Sequence, residues 1–410
     1  MKRGIVLEFV NGGVCAAKGF KAYGLHCGIR KNQNKKDLMM IVADNDCVSA
    51  AVYTQNLVCG APITVTKKHL ANSVARAVIC NSGIANTCSA DGIEKAEAMC
   101  ALAAKAAGCN AEDVIVASTG VIGVPVPLEP IEKAMDALKS GLSYDGGTSA
   151  AEAIMTTDTI SKQCAVRFNI GENVCTVGGM CKGSGMINPN MATMLCFLST
   201  DVNIDASSLD AALREAVKDT FNMVYIDGDT STNDMAEIMA SGLAGNDRIT
   251  AKSAGYDEFL SALKAVLLEL AKMMAKDGEG ATKLIECRVS GAPDEESARK
   301  ISRSVVSSSL VKTAMFGADA NWGRVMCALG YCGAKVDINK VKINFISDAG
   351  SINVCKNGAG VDFDEDIAKQ ILLRDEIVID IKLYQGKASA VAYGCDLTYD
   401  YVKINGDYRS

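Results

Sequence analysis

The chain has 410 residues, with 42 Lys and Arg against 48 Asp and Glu, a net charge of −6 at pH 7 and 49% hydrophobic residues. That length and apolar content support two or three domains with sizeable cores, while the acidic balance, with no basic cluster interleaved with aromatics, excludes a nucleic-acid or anionic-membrane surface and favours small-molecule partners. Seventeen cysteines, an odd count spread through apolar segments without a Cys-x-x-Cys pair, read as buried reduced thiols in a reducing cytosol, so neither a metal nor a redox site is expected.

At the N-terminus two positive charges precede an apolar run that Glu8 and then Asn11 interrupt, too short for a signal peptide. Even the most apolar helical stretch, Leu260 to Met274, carries Lys264, Glu269 and Lys272, short of the roughly 18 uninterrupted apolar residues of a membrane span. A cytoplasmic location away from membranes is the expectation.

In chain order, the runs Met39 to Ala43, Ala51 to Thr54, Ala77 to Cys80 and Val114 to Ala117 predict strands, and they alternate with helical patterns at Ile93 to Ala107 and Leu128 to Lys139. The first half is therefore mixed α/β. A strand at Met194 to Leu198 leads to Asp205, which predicts an N-cap for a helix with Leu209, Leu213, Ala216 and Val217 on one face. Further helices are expected at Asp257 to Lys276 and Glu295 to Thr313, and further strands at Lys283 to Val289, Val341 to Ile346, Glu376 to Leu383 and Ala388 to Tyr393. The part from about residue 283 could form a distinct C-terminal α/β lobe. There is no internal repeat, low-complexity tract or Pro-rich linker, and there are only six prolines.

The most informative stretch is Lys182 to Asp201, KGSGMINPNMATMLCFLSTD, where a glycine-rich polar loop runs through Met191-Ala192-Thr193 into an apolar strand. Thr193 is either simply the first residue of that strand or a nucleophile at the mouth of a rigid element. A threonine so placed can attack the carbonyl of Ala192, and hydrolysis of the resulting ester would free Thr193 as a new N-terminus. Its α-amine, with an ordinary pKa of about 8, would then serve as its own base. That economy suits a chain whose only histidines are His26 and His69.

Three other positions have the residue types such chemistry needs, each beside a plain structural reading. Ser118-Thr119-Gly120 follows the apolar run Val114 to Ala117 and is either a strand-end turn or a set of donors for an oxyanion. Lys182, eleven residues before Thr193, is either a solvated loop lysine or an anion-binding group. Glu279, between Gly278 and Gly280, either follows a helix C-cap at Gly278 or presents a carboxylate to an ammonium. Two motifs fail on spacing. Asp227, Asp229 and Ser231 begin like a calcium loop, but Thr232 and Ile238 occupy its glycine and glutamate positions. Gly178 to Ser184 has the letters of a phosphate loop in the wrong order, so no nucleotide site is expected.

The processing segment, Lys-Gly-small-Gly-Met-Ile followed by Met-Ala-Thr-Met-Leu, resembles the self-cleaving ornithine acetyltransferase family. The resemblance runs from Gly19-Phe20 to the closing Cys395-Asp-Leu-Thr-Tyr-Asp-Tyr-Val-Lys-Ile-Asn405. Between them lie Asn81-Ser-Gly-Ile-Ala-Asn86, Ala117-Ser-Thr-Gly-Val-Ile-Gly123, Ile154-Met-Thr-Thr-Asp-Thr159, Asp227-Gly-Asp-Thr-Ser-Thr-Asn-Asp234, Asp277-Gly-Glu-Gly-Ala-Thr-Lys283 and Asn321-Trp-Gly-Arg324.

The resemblance implies a layered αββα-type sandwich with a C-terminal α/β lobe, cut between Ala192 and Thr193 into an alpha chain of residues 1–192 and a beta chain of residues 193–410. It implies Thr193 as nucleophile, Thr119 and Gly120 as the oxyanion-hole pair, and Thr157, Lys182, Thr193, Glu279, Asn405 and Ser410 as substrate-binding residues. The implied reaction moves an acetyl group from N-acetylornithine to glutamate in arginine biosynthesis through an acetyl-Thr193 ester, without metal or cofactor. Some relatives also take acetyl-CoA as donor, and two copies of each half are implied. The sequence departs from the pattern at Ser410, where many relatives have threonine, and at Ile84, where they commonly have asparagine. The rival readings are a self-cleaving aminopeptidase of similar architecture with a serine nucleophile, and a binding protein that has kept the fold without the reaction.

Overall fold

Sixteen strands form among the described residues, some from apolar side chains at every second position, as in FKAYGL of Phe20–Leu25, and others from continuous buried runs, as in LCFLST of Leu195–Thr200. The computed structural model describes residues 5–188 and 194–407. In chain order the strands are β1 (Glu8–Val10), β2 (Phe20–Leu25), β3 (Leu38–Tyr53), β4 (Val74–Ile84), β5 (Val114–Val121), β6 (Lys162–Ile170), β7 (Asn173–Lys182), β8 (Leu195–Thr200), β9 (Val224–Tyr225), β10 (Met235–Ala240), β11 (Leu284–Ala292), β12 (Lys342–Ser347), β13 (Gly350–Lys356), β14 (Ala359–Gly360), β15 (Glu376–Lys382) and β16 (Ala388–Cys395).

They divide between two units, each with its own sheet. The first unit comprises the described residues within Met1–Gly183, Asn190–Thr220 and Thr230–Leu270, and the second those within Ser184–Pro189, Phe221–Asp229 and Ala271–Ser410. With helices on both sheets, the class is the layered α/β one expected from the sequence.

In the first unit the sheet order is β1-β6-β7-β8-β10-β3-β4-β5, with β2 also on β3. The pairs β8–β10 and β4–β5 are parallel, and the others antiparallel. Strand β8, the run just after Thr193, is thus central, between β7 and β10. Two separate strands were expected at Met39 to Ala43 and Ala51 to Thr54, yet β3 is one strand of 16 residues. The polar run Asp44-Asn45-Asp46 falls where its register against β4 shifts, between Val42 and Cys47. A bulge accommodates those residues without ending the strand.

The expected N-cap holds: Asp205 accepts from the Ser208 amide at 3.0 Å and starts the Ala206–Asp219 helix, which buries Leu209, Leu213, Ala216 and Val217. Helix Tyr256–Lys276 follows.

In the second unit the order is β14-β13-β12-β15-β11-β16-β9, and the core gathers Ile285, Val289, Ile301, Val305, Phe345 and Ile379. Each such fully buried side chain contributes roughly 1.5–3 kcal/mol. The single helix expected from Glu295 to Thr313 is two, Glu295–Ser307 and Ser309–Phe316. Ser308 adopts extended backbone and its side chain accepts from the Val311 amide at 3.3 Å, so it ends one helix and caps the next. Periodicity carries through such a break, because both helices bury apolar faces.

Candidate functional site

In the first unit the site residues gather where β4, β5 and β7 end. Strands β4 and β5 run parallel with Asn81 opposite Ser118, Ser82 opposite Thr119 and Gly83 opposite Gly120, and the register shifts at Gly83 and Ile84. Thr119 and Gly120 therefore lie within β5 and not in a turn after it. Gly120 has φ +131°, and a Cβ there would overlap the Gly83 carbonyl and sit 2.6 Å from the Ile84 amide nitrogen. Only glycine fits that backbone and that approach.

Thr119 is buried, and the Lys182 ammonium donates to its Oγ1 at 3.2 Å. An ammonium has hydrogens to give and no lone pair, so the threonine's own hydroxyl hydrogen is left to be given elsewhere. The arrangement makes Thr119 a donor toward a third group. Lys182 itself is not a loop residue but the last residue of β7, half-buried, and in register with Leu195 of β8.

Asp158 and Lys162, which the sequence did not single out, form a fully buried ion pair at 2.6 Å beside this point. The Asp158 carboxylate also accepts from the Gly183 amide at 2.7 Å and the Thr156 amide at 2.9 Å. Burial alone would raise its pKa, but Lys162 and then Lys182 overcome that and hold it down at about 2. One carboxylate thus fastens the start of the glycine loop to the segment that carries Thr157. The available signal was an Asp and a Lys four residues apart within and just after the Ile154 to Thr159 block.

In the second unit Glu279 and Asn405 meet. Asn405, on helix Tyr399–Gly406, donates from Nδ2 to Glu279 Oε2 at 2.7 Å, and the Glu279 amide donates to the Ser184 carbonyl at 2.8 Å. Glu279 is buried, and a Cβ on Gly185 would lie 2.6 Å from its Oε1. The left-handed glycine after helix Tyr256–Lys276 is Gly280, φ +69°, rather than Gly278. A Cβ on Gly278 would press on the Cys395 sulfur, so that glycine serves close packing. Asp227 spends its carboxylate on the Met186 and Ile187 amides, at 2.6 and 2.8 Å. Among the described residues, no cluster of three or more His, Cys, Asp or Glu is arranged to hold a metal ion. Ala192, Thr193 and Ser410 lie outside the described residues.

Residues 21–410 match the model of the ArgJ family. The chain belongs to the ArgJ family. It is 50% identical over 406 residues to the arginine biosynthesis bifunctional protein ArgJ of Symbiobacterium thermophilum, covering 98% of this chain and 100% of that protein. It is 48% identical over 392 residues to arginine biosynthesis bifunctional protein ArgJ 1 of Clostridium acetobutylicum, covering 95% and 96%. Among solved structures, the ornithine acetyltransferase of Mycobacterium tuberculosis, complexed with ornithine, is 34% identical, with a TM-score of 0.42 over 46% of this chain and 100% of that one. The resemblance read from the motifs of this ArgJ-family chain is thereby established. No helix among the described residues is long and apolar enough to cross a membrane.

Proposed function

We propose that this ArgJ-family chain transfers an acetyl group from N-acetylornithine to glutamate in arginine biosynthesis, through an ester on Thr193. Family membership over nearly the whole chain supports acetyl transfer in that pathway. The observation that carries the mechanism is the Lys182–Thr119 contact, which aims a hydroxyl hydrogen away from the lysine beside a glycine backbone.

In the proposed sequence, Thr193 Oγ first displaces the amide nitrogen from the Ala192 carbonyl, and water then hydrolyses the ester to an Ala192 carboxylate and the Thr193 hydroxyl, beside the amine that the first step freed. That amine takes the hydroxyl proton as Oγ attacks the acetyl carbonyl of N-acetylornithine. Charge on the carbonyl oxygen is met by Thr119 and Gly120. The C–N bond breaks, the proton passes to the departing ornithine amine, and the glutamate amine then takes the acetyl group from the ester. Thr157, Lys182, Glu279, Asn405 and Ser410 bind substrate, with Glu279 facing the side-chain ammonium of ornithine. Two copies of each half assemble, and the reaction uses no metal or cofactor.

Denaturing intact mass, before and after brief exposure to N-acetylornithine, tests the scheme. The expected result is fragments of 192 and 218 residues, together the 410 of the chain, with one acetyl group gained only on the fragment beginning at Thr193. A single uncut chain that gains nothing would refute it. Release of amino-terminal residues from peptides, with no acetyl group gained from N-acetylornithine, would favour the aminopeptidase reading.

A second activity is favoured by the word bifunctional in the relatives' names. It is the synthesis of N-acetylglutamate from acetyl-CoA and glutamate at the same threonine. Incubation of the purified chain with those two substrates decides it, and absence of turnover would limit the chain to transfer.

A further inference from the structure

The block Asp227 to Asp234 has no part in the scheme so far, and its first residue is occupied in holding backbone amides of the second unit. Asn233, in the first unit two residues before β10, is different. It is buried at 6% exposure, and its Nδ2 donates to two carbonyls, Ala85 at 2.6 Å and Ser118 at 3.0 Å. Its Oδ1 accepts from the hydroxyls of Thr87 at 2.6 Å and Thr232 at 2.5 Å. The amide orientation follows from these partners, since a flip would set Oδ1 against two carbonyl oxygens.

The Ser118 carbonyl belongs to β5, in register with Asn81, and Ala85 directly follows β4, so the two flank the point where the β4–β5 register shifts at Gly83 and Ile84. Ladder pairing is irregular there, and buried carbonyls must still find donors. Asn233 supplies both. Moreover, the Ser118 oxygen belongs to the same planar peptide group as the Thr119 nitrogen, so holding the oxygen fixes the plane from which Thr119 and Gly120 continue. A second buried asparagine works beside it: Ser118 Oγ donates to Asn81 Oδ1 at 2.5 Å, and Asn81 Nδ2 donates to the Ile84 carbonyl at 3.0 Å. Lys182 fixes the Thr119 side chain, whereas Asn233 fixes its backbone.

We infer that Asn233 is a positioning residue for the oxyanion pair, acting through the Ser118 carbonyl to set Thr119 and Gly120 against the bound acetyl group. The inference rests on the acetyl-transfer reading given above. Oxyanion donors act only when aimed to within a fraction of an ångström, so loosening this strand end should lower turnover more than binding.

The test uses the purified full chain with N-acetylornithine and glutamate, with activity normalised to the cleaved fraction, in Asn233→Ala, Thr119→Ala and their double variant. Asn233→Ala is expected to lower kcat by roughly 10- to 100-fold with KM within about twofold, and the double variant to lose less than the product of the two single losses. Thr87→Val, which removes one hydroxyl that orients the Asn233 amide, should lower kcat in the same direction by less. Unchanged kcat in Asn233→Ala, a rise in KM alone, or losses that multiply in the double variant would overturn the inference. If Asn233→Ala does not fold, Thr87→Val decides, and full kcat there overturns it. A parent chain without acetyl transfer, or an undiminished Thr119→Ala, would instead overturn the acetyl-transfer reading and this inference with it.

Discussion

Lys182 and Thr119 stand 63 positions apart in the chain, yet the ammonium of one lies 3.2 Å from the hydroxyl oxygen of the other. Because lysine can only donate, the contact both polarises the threonine hydroxyl and turns its hydrogen outward. Lys182 is therefore expected to act on turnover as well as on substrate affinity. Thr119→Val should lower kcat by about 10²–10³, the usual effect of losing one oxyanion donor. Lys182→Met should lower kcat by roughly 10-fold and also raise KM. Steady-state kinetics with N-acetylornithine separate the two, and a Lys182 variant altered in KM alone would confine the lysine to binding.

Gly120→Ala should abolish activity and destabilise the chain. The new methyl would overlap the Gly83 carbonyl at a φ of +131°, so β4 and β5 would have to separate where Thr119 is held. Backbone strain of this kind costs about 1–3 kcal/mol before the clash is counted. Urea unfolding and turnover check both effects, and an active, equally stable variant would contradict the geometry.

Asp158→Asn should cost about 3–5 kcal/mol, because it removes the carboxylate that pairs with the buried Lys162 ammonium at 2.6 Å. The pH dependence follows from the depressed carboxyl. Its folded pKa of about 2 is below the ordinary unfolded value of roughly 3.9, so its contribution is complete above that value and is lost as pH falls toward 2. Between about pH 5 and 3 the parent chain should lose stability more steeply than the variant. Urea midpoints across that range measure the difference, and parallel curves would refute it.

Glu237 gives a prediction of opposite sign. It lies in β10 between Phe197 of β8 and Ala51 of β3, is fully buried, and neither carboxyl oxygen has a hydrogen-bond partner among the described residues. Burial pushes its pKa well above the ordinary carboxylate value. Its stability contribution is thus greatest below the unfolded value of about 4.3 and declines as pH rises above it. Glu237→Met, matching Met235 and Met239 on the same face, should stabilise the chain by about 1–3 kcal/mol at pH 7 and by less at pH 4. Thermal midpoints at the two pH values test this, and a destabilised variant would show that the carboxyl has a favourable role.

Local pattern made much of this legible from the residues alone. Short continuous apolar runs announced Val114 to Ala117 and Met194 to Leu198 as strands, Asp205 announced a helix start, and ordered motifs along the chain announced the family, because each depends on neighbours within a few residues. The tertiary structure decided the rest. It joined two expected strands into β3 by absorbing Asp44 to Asp46 in a register shift, and it split one expected helix at Ser308. It also brought Lys182 to Thr119, Asp158 to Gly183 and Asn233 to Ser118. The physical reason is the same in each case: periodicity reports which face of an element is apolar, but buried polar groups must be satisfied by whatever the folded chain sets beside them, and those partners are far away in sequence.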